Sequence, residues 1–488
     1  MLQYMRIRAT KFPLSISKMS KRPASQELEH NPVMARKFSH LKITDHAHFA
    51  QAQDLALSIL ENRKLAQYVR HVTLNYSHWG SYAAKALPYT VETEAEREKG
   101  ARFKEAIAKQ KWEEAEATEL LARLMNTAYP GFNKPSSYQL FPDAVVALLL
   151  PILPNVQKWT VGDVDRPEYV GKAIQRAKDG IFGCISVTHL ELIPDRRYSD
   201  AAWADYAFHA FKIFGNLPCL ESISGKGIGG IGIEDAGTYD EIPSKVSAVR
   251  EIRLKDCELG SGSLSKIIGF STGLKAFTYR FGGRSGDGGT AVMYSAQLAN
   301  SLTPHKLTMQ SLDIDVDNLL HQNLRQELYA YKQGLMDEED NETGDEEEED
   351  SDADTSDPPA ASKGSDEKRK EALKSDPYFP NLTHLRIGVK LASWFAELSG
   401  KKTLAEWLPA SLIELELVGY KPQASDILWE QVTEVVRERE KLLPNLKVLK
   451  GIEECIENGK ELDDEGDYVA SAESADEDAS EEAGEVPL

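Results

Sequence analysis

One pattern of apolar and polar positions recurs along the chain: apolar, two variable residues, apolar, one variable, apolar. It appears first as Phe38-Ser39-His40-Leu41-Lys42-Ile43 and then as Val69-Arg70-His71-Val72-Thr73-Leu74. Further copies begin at Val156, Val187, Leu220, Val249, Leu274, Met309, Leu382, Leu412 and Leu446, which makes eleven repeats. Their first positions are 31, 87, 31, 33, 29, 25, 35, 73, 30 and 34 residues apart. Regular self-similarity at such a period is the mark of a repeat architecture. The short hexamers read as strands. The stretches between them carry helical periodicity, as in Phe49–Leu65, Ala202–Phe214, Leu319–Gln333 and Ile427–Leu442. Leu153-Pro154, Leu217-Pro218, Phe379-Pro380 and Leu443-Pro444 punctuate the helix ends. Strands alternating with helices at a fixed period predict an α/β fold with parallel strands. A single repeat cannot bury hexamer positions 1, 4 and 6 alone, so the repeats are expected to stack into a solenoid.

Charge divides the chain further. The 488 residues carry a formal net charge of −21. Asp337 to Asp357 holds fourteen acidic residues and no Lys or Arg, and Glu461 to Leu488 holds twelve and none. The remainder is therefore mildly basic, at +5. Like-charge blocks repel and bury little, so both segments are expected to be disordered. The expected organisation follows. Residues 1–36 form a disordered basic leader and 37–336 the first part of the solenoid, with a helical insertion at about 82–128. Residues 337–375 form a disordered acidic insert, 376–458 the last part of the solenoid, and 459–488 a disordered acidic tail.

The period and hexamer resemble the leucine-rich repeat, L-x-x-L-x-L-x-x-N/C-x-L. The stretch from Val249 through Ile252, Leu254 and Cys257 to Leu259 fits that signature in full, while Ser77, Asp195 and Tyr420 depart from it at the Asn/Cys position. The expected array is thus about eleven irregular leucine-rich strand–helix units. More specifically, Phe38 to Ile43, Tyr68 to Leu74 and the Phe-Pro-Asn-Leu-Thr-His-Leu and Leu-Pro-Asn-Leu-Lys-Val-Leu phrases resemble fungal F-box/leucine-rich-repeat proteins. The resemblance runs from Lys37 to Ile452 and does not include the F-box. It implies capture of a protein substrate by the repeats and, where an F-box is present, docking on the adaptor of a cullin–RING ubiquitin ligase. The 36 residues before Lys37 lack a Leu-Pro-x-Glu start. The chain is therefore read either as a repeat-only relative or as incomplete at its N-terminus.

Strand alternation sends hexamer positions 3 and 5, and the residue two beyond, to the open, concave face of such an array. The candidate partner-binding residues there are His71, Thr73, Asn75, His189, Glu191, Glu251, Arg253, Lys255, Asp313, Asp315, His384, Arg386, Glu414 and Glu416. Four position-3 histidines, His40, His71, His189 and His384, read either as a pH- or metal-sensing ladder or as ordinary polar residues on a wet face. Charges of both signs without interleaved aromatics point to a protein partner, not to nucleic acid. Charge reversal at Arg253 and Arg386 is expected to weaken capture and leave the fold intact. The acidic blocks read either as solvated appendages or as charge mimics that attract histones or other basic partners. Ser351 and Ser474, followed by acids, are candidate phosphorylation sites for an acidophilic kinase.

No enzyme is expected, and no cofactor or metal site. Cys184, Cys219, Cys257 and Cys455 show neither CxxC nor zinc spacing. Gly225-Lys226-Gly227-Ile228-Gly229-Gly230 fits GxGxxG formally, but no helical pattern follows it, so it is read as an inter-repeat loop. Without a secretory signal or a long apolar run, a cytoplasmic or nuclear location is expected.

Overall fold

The computed structural model describes residues 38–43, 49–75, 93–125, 140–162, 168–181, 185–193, 211–215, 217–228, 244–282, 293–317, 319–320, 378–419 and 426–452. The leader, the acidic insert and the acidic tail lie outside them, as do Ser351, Ser474, Cys184 and Cys455.

Every hexamer forms a strand, and every strand starts at hexamer position 3. They are β1 (His40–Ile43), β2 (His71–Asn75), β3 (Lys158–Gly162), β4 (His189–Ile193), β5 (Ser222–Lys226), β6 (Glu251–Cys257), β7 (Ala276–Phe281), β8 (Ser311–Asp315), β9 (His384–Gly388), β10 (Glu414–Val418) and β11 (Val448–Lys450). The sheet is eleven-stranded, in chain order, and its described pairs are parallel. Position 3 pairs with position 3, as in His71 with Lys158 and Ser311 with His384. This α/β alternation is compatible with a solenoid of stacked repeats.

The hydrogen bonding that sets this register is the same in repeat after repeat. The carbonyl at position 2 accepts the N–H groups of both positions 2 and 3 of the next repeat. Arg70 and His71 donate to Ser39, Gln157 and Lys158 to Arg70, Gln310 and Ser311 to Lys275, and Thr383 and His384 to Gln310. Positions 1, 4 and 6 fill the core. Val156, Trp159 and Val161, or Leu274, Phe277 and Tyr279, are all 1% exposed or less. Side chains reinforce the stacking. The hydroxyl just before position 1 donates to the position-1 carbonyl of the preceding repeat: Ser186 to Val156, Thr308 to Leu274, and Ser411 to Leu382. The Asn of each Pro-Asn step donates to the turn of the preceding repeat: Asn155 to Gln67, Asn381 to Leu307, and Asn445 to Ala410.

The chain packs as two bodies, Met1–Arg197 with Asp205–Ser224, and Tyr198–Ala204 with Gly225–Leu488. In the first body, α1 (Phe49–Glu61) and α2 (Arg63–Ala66) follow β1. The long spacing after β2 contains α3 (Glu94–Lys109) and α4 (Glu114–Met125). A capping box between Thr93 and Glu96 starts α3. Helix α5 (Leu140–Leu149) precedes β3 and α6 (Glu168–Lys178) follows it. Asp143 of α5 is buried and accepts the Tyr169 and Val170 N–H groups at 2.9 Å each. It thereby satisfies the orphan donors at the start of α6. Arg123 of α4 also reaches Asp143, and pairs with Glu119 as well. Tyr169 donates its hydroxyl to Glu119 at 2.8 Å. This cluster ties the helices between β2 and β3 to the repeat that follows.

In the second body, α7 (Ser261–Phe270) and α8 (Ser295–Leu302) separate β6, β7 and β8. Helices α9 (Val389–Leu398) and α10 (Leu404–Trp407) lie between β9 and β10, and α11 (Asp426–Arg437) and α12 (Arg439–Leu442) between β10 and β11. Asp317 plays the part of Asp143 here. Its carboxylate accepts the Lys390 and Leu391 N–H groups at the start of α9. A Cβ at Gly388 would collide with that carboxylate, which explains the glycine. Among the described residues no helix is long and apolar enough to cross a membrane.

Candidate interaction faces

Positions 3 and 5 do point away from the core, and the two bodies use them differently. In the first body, the His40 and His71 rings stack with centroids 4.1 Å apart and 5° between planes. His40 Nε2 lies 2.7 Å from Thr73 Oγ1, and His71 Nε2 lies 2.8 Å from Thr160 Oγ1. Thr160 donates to Glu191 at 2.8 Å, and Lys158 Nζ pairs with the same carboxylate at 3.0 Å. This chain of contacts assigns protons. Glu191 can only accept, so Thr160 spends its single hydrogen there and must receive one from His71 Nε2. The neutral His71 ring therefore carries its proton on Nε2. Thr73 and Thr160 point outward yet are only 9% and 2% exposed.

Burial, then the neighbouring His40 and Lys158, hold the His71 imidazole down at about 4, with Glu191 opposing. Burial, then Lys42 and Lys158, lower His40 as well. Burial would raise Glu191, but bonds from Lys158 and Thr160 outweigh it and keep its carboxyl below the usual range. His189 is exposed at the start of β4, where its Nδ1 lies 2.6 Å from the Thr188 hydroxyl. Asn75 closes β2 opposite Gly162. Of the four position-3 histidines, only His40 and His71 lie on neighbouring strands and touch. His384 lies in the second body, where its Nδ1 sits 2.9 Å from Thr383 Oγ1. Among the described residues no group of three or more His, Cys, Asp or Glu is placed to hold a metal ion.

In the second body the open face is an ion-pair lattice. Arg386 on β9 reaches Asp313 at 3.0 Å, Asp315 at 3.1 Å and Glu416 at 2.8 Å. Arg280 on β7 reaches Asp313 at 2.8 Å from the other side. Arg253 pairs with Glu251 at 2.5 Å, Lys450 with Glu414 at 3.0 Å, and Lys226 with Asp256 at 3.6 Å. Lys255 alone of these cations has no acid partner among the described residues. Burial lowers Arg386, but its three carboxylates outweigh that and hold it above the ordinary guanidinium value.

The expectation that Arg386 can be reversed without cost to the fold needs correction. Its side chain is 21% exposed and joins three strands. Arg253, 57% exposed and paired within its own strand, remains a surface residue.

Cys257 occupies the Asn/Cys position of the full repeat signature. Its Sγ accepts the Ile228 N–H at 3.4 Å and donates to the Lys255 carbonyl at 3.1 Å, so the thiol does the backbone-satisfying work of an asparagine. Burial pushes that thiol up to about 12, away from reactivity. Gly225 lies inside β5 and not in a phosphate-binding turn. A Cβ there would crowd Ile228 and Leu254, so this glycine serves packing.

Several participants escaped the sequence reading. Lys158 and Thr160 sit at positions 3 and 5 of the third repeat, and the same alternation rule identifies them. Arg280 lies two residues beyond position 5 in its repeat. Asp143, Arg123 and Asp317 carry no periodic signal, because their partners are backbone N–H groups or helices fixed only by the fold. No family model and no curated protein matches this chain.

Proposed function

We propose that the chain is a non-enzymatic protein-binding scaffold of the leucine-rich-repeat kind, which captures a partner on the outward rows of its parallel strands. One observation carries this reading. Within each body the strands with a described register pair position 3 with position 3, so positions 3 and 5 present rows of mostly polar side chains, Ala276 and Val448 excepted, above an apolar core. Such an array spends its regularity on surface, as repeat scaffolds that bind proteins do. The shared polarity of both rows, with charges of each sign, favours a protein partner with its own mixed charge.

The finer reading is substrate reception for a cullin–RING ubiquitin ligase, in line with the resemblance to F-box/leucine-rich-repeat proteins. The test is affinity purification of the full chain with quantitative mass spectrometry, beside the Arg253→Glu variant. A partner set lost from Arg253→Glu supports capture on the open face. An unchanged set refutes that assignment. Recovery of the ligase adaptor and cullin supports the receptor reading. Recovery of histones, lost on deleting 337–357 and 461–488, replaces it with capture of basic partners by the acidic segments.

A further inference from the structure

The second body holds a separate concentration of unspent positive charge, on the rim that precedes strands β6 to β9 and not on the open face. Lys245 and Arg250 precede β6, Lys275 precedes β7, and Lys306 lies in the turn before β8. None has an acidic partner among the described residues. The contrast with the face is marked, because there almost every cation is neutralised by a neighbour. The rim stretches 244–250, 271–275, 303–310 and 380–383 contain no Asp or Glu at all. The field of Lys245 is felt inside the body: burial chiefly, and then Lys245, lower the imidazole of His305.

Two large apolar side chains stand out on the same rim, Val246 at 46% and Leu307 at 67% exposed. Hydrogen bonds hold both in the turns that lead into strands, with the turn before β7 between them. The Val246 N–H donates to Phe270, at the end of α7, and the Leu307 carbonyl receives Asn381. Val246 leads into β6 and Leu307 into β8, so two strand spacings, roughly 10 Å, separate them. Beside Leu307 lies a groove of about 610 Å³ lined by Lys275, Thr308, Gln310, Asn381, Thr383 and Ser411.

We propose that this rim is a docking surface for an extended acidic peptide segment of a partner protein, whose carboxylates meet Lys275, Lys306 and Arg250 and whose apolar side chains cover Leu307 and Val246. The occupant follows from charge complementarity, since the rim offers only positive charge, and from the spacing. A peptide in the extended polyproline II conformation advances roughly 3.1 Å per residue with three residues per turn, so apolar residues three apart lie on one side, roughly 9 Å apart, and reach both anchors. A lipid surface fits less well, because the apolar anchor borders a concave groove lined with amides and hydroxyls. Nucleic acid fits less well because the stretches 244–250, 271–275, 303–310 and 380–383 contain no Phe, Tyr or Trp for bases to stack on. The inference rests on the scaffold reading only in taking the partner to be protein.

The test is fluorescence anisotropy with the full-length chain and a labelled nine-residue peptide of Asp and Glu with two leucines three residues apart. Vesicles containing phosphatidylserine and a single-stranded oligonucleotide serve as alternative probes. Lys275→Glu with Lys306→Glu, and separately Leu307→Asp, each weaken peptide binding at least tenfold. Lys64→Glu with Lys104→Glu, exposed changes of equal total charge on α2 and α3, leaves it within twofold. Raising salt weakens the wild-type complex as well. Circular dichroism of every variant checks folding, and the exposure of Leu307 makes Leu307→Asp the safest of them. Three results overturn the proposal: no peptide binding by the wild-type chain, binding indifferent to the rim substitutions, or stronger rim-dependent binding of vesicles or oligonucleotide. Each leaves the outcome of the affinity purification with Arg253→Glu untouched, so the two readings fail separately.

Discussion

The carboxylate of Asp317, just beyond β8, accepts the backbone N–H of Lys390 at 2.9 Å across a sequence separation of 73 residues. The same carboxylate takes the Leu391 N–H at 3.2 Å, so one side chain caps α9 from another repeat. Burial raises its pKa against those two amides. Asp317→Ala leaves two helix-start donors without partners, at a cost of about 1–3 kcal/mol. Gly388→Ala drives a methyl into the carboxylate and destabilises as well. The two changes act on one contact, so urea denaturation of the double variant should show a loss clearly smaller than the sum of the single losses.

The tie also bears on the acidic insert. Asp317 before it and Asn381 and Thr383 after it are bonded across the gap in sequence. Loop-closure cost depends only weakly on length. Removing residues 337–375 should therefore change unfolding free energy by no more than about 1 kcal/mol. A larger loss in urea titrations would mean that the insert contributes contacts to the fold.

Arg386 is a keystone among carboxylates. Arg386→Met should cost about 1–3 kcal/mol, because Asp315 and Glu416 lose their cation while staying part-buried. Arg386→Glu should cost more, since a fourth carboxylate joins the cluster. Urea denaturation midpoints of both variants at pH 7, beside the unchanged chain, decide this.

His71 makes the first body sensitive to acid. Its folded pKa, about 4, lies below the ordinary imidazole value of 6.5. The unfolded chain therefore binds its proton more readily. The contribution to stability is complete above about pH 6.5 and is lost as pH falls toward 4. His71 is half-buried, so after screening the effect should be about 1–2 kcal/mol. His71→Gln should flatten that part of the stability profile. NMR titration of the imidazole should find His71 well below 6.5 and shifted upward in His40→Ala, because the stacked neighbour contributes to the depression.

The strands were legible because a buried parallel strand must repeat its apolar residues at positions 1, 4 and 6, whatever occupies the rest. All eleven hexamers gave a strand starting at position 3. The outward direction of His71, Glu191, Asp313 and Arg386 followed from the same alternation. Their partners did not. Arg386 meets residues 30, 71 and 73 positions away, a pairing that only the stacking register decides. Asp143 and Asp317 look like ordinary acids in the sequence, because what distinguishes them is the helix start each one faces. The rim was passed over because position 2 belongs to neither the core nor the open face.

That position has a wider consequence. The bonds that hold one repeat to the next at position 2 run from backbone carbonyl to backbone N–H, and Ser39, Arg70, Gln157, Thr188, Lys275, Gln310 and Thr383 all serve equally well. The side chain there is not needed for that ladder, although the Thr188 and Thr383 hydroxyls add a bond to the position-2 carbonyl before them. A row of residues can thus be rewritten one at a time while the ladder beneath stays the same. Recognition on that edge is free to drift at a rate the core could never tolerate.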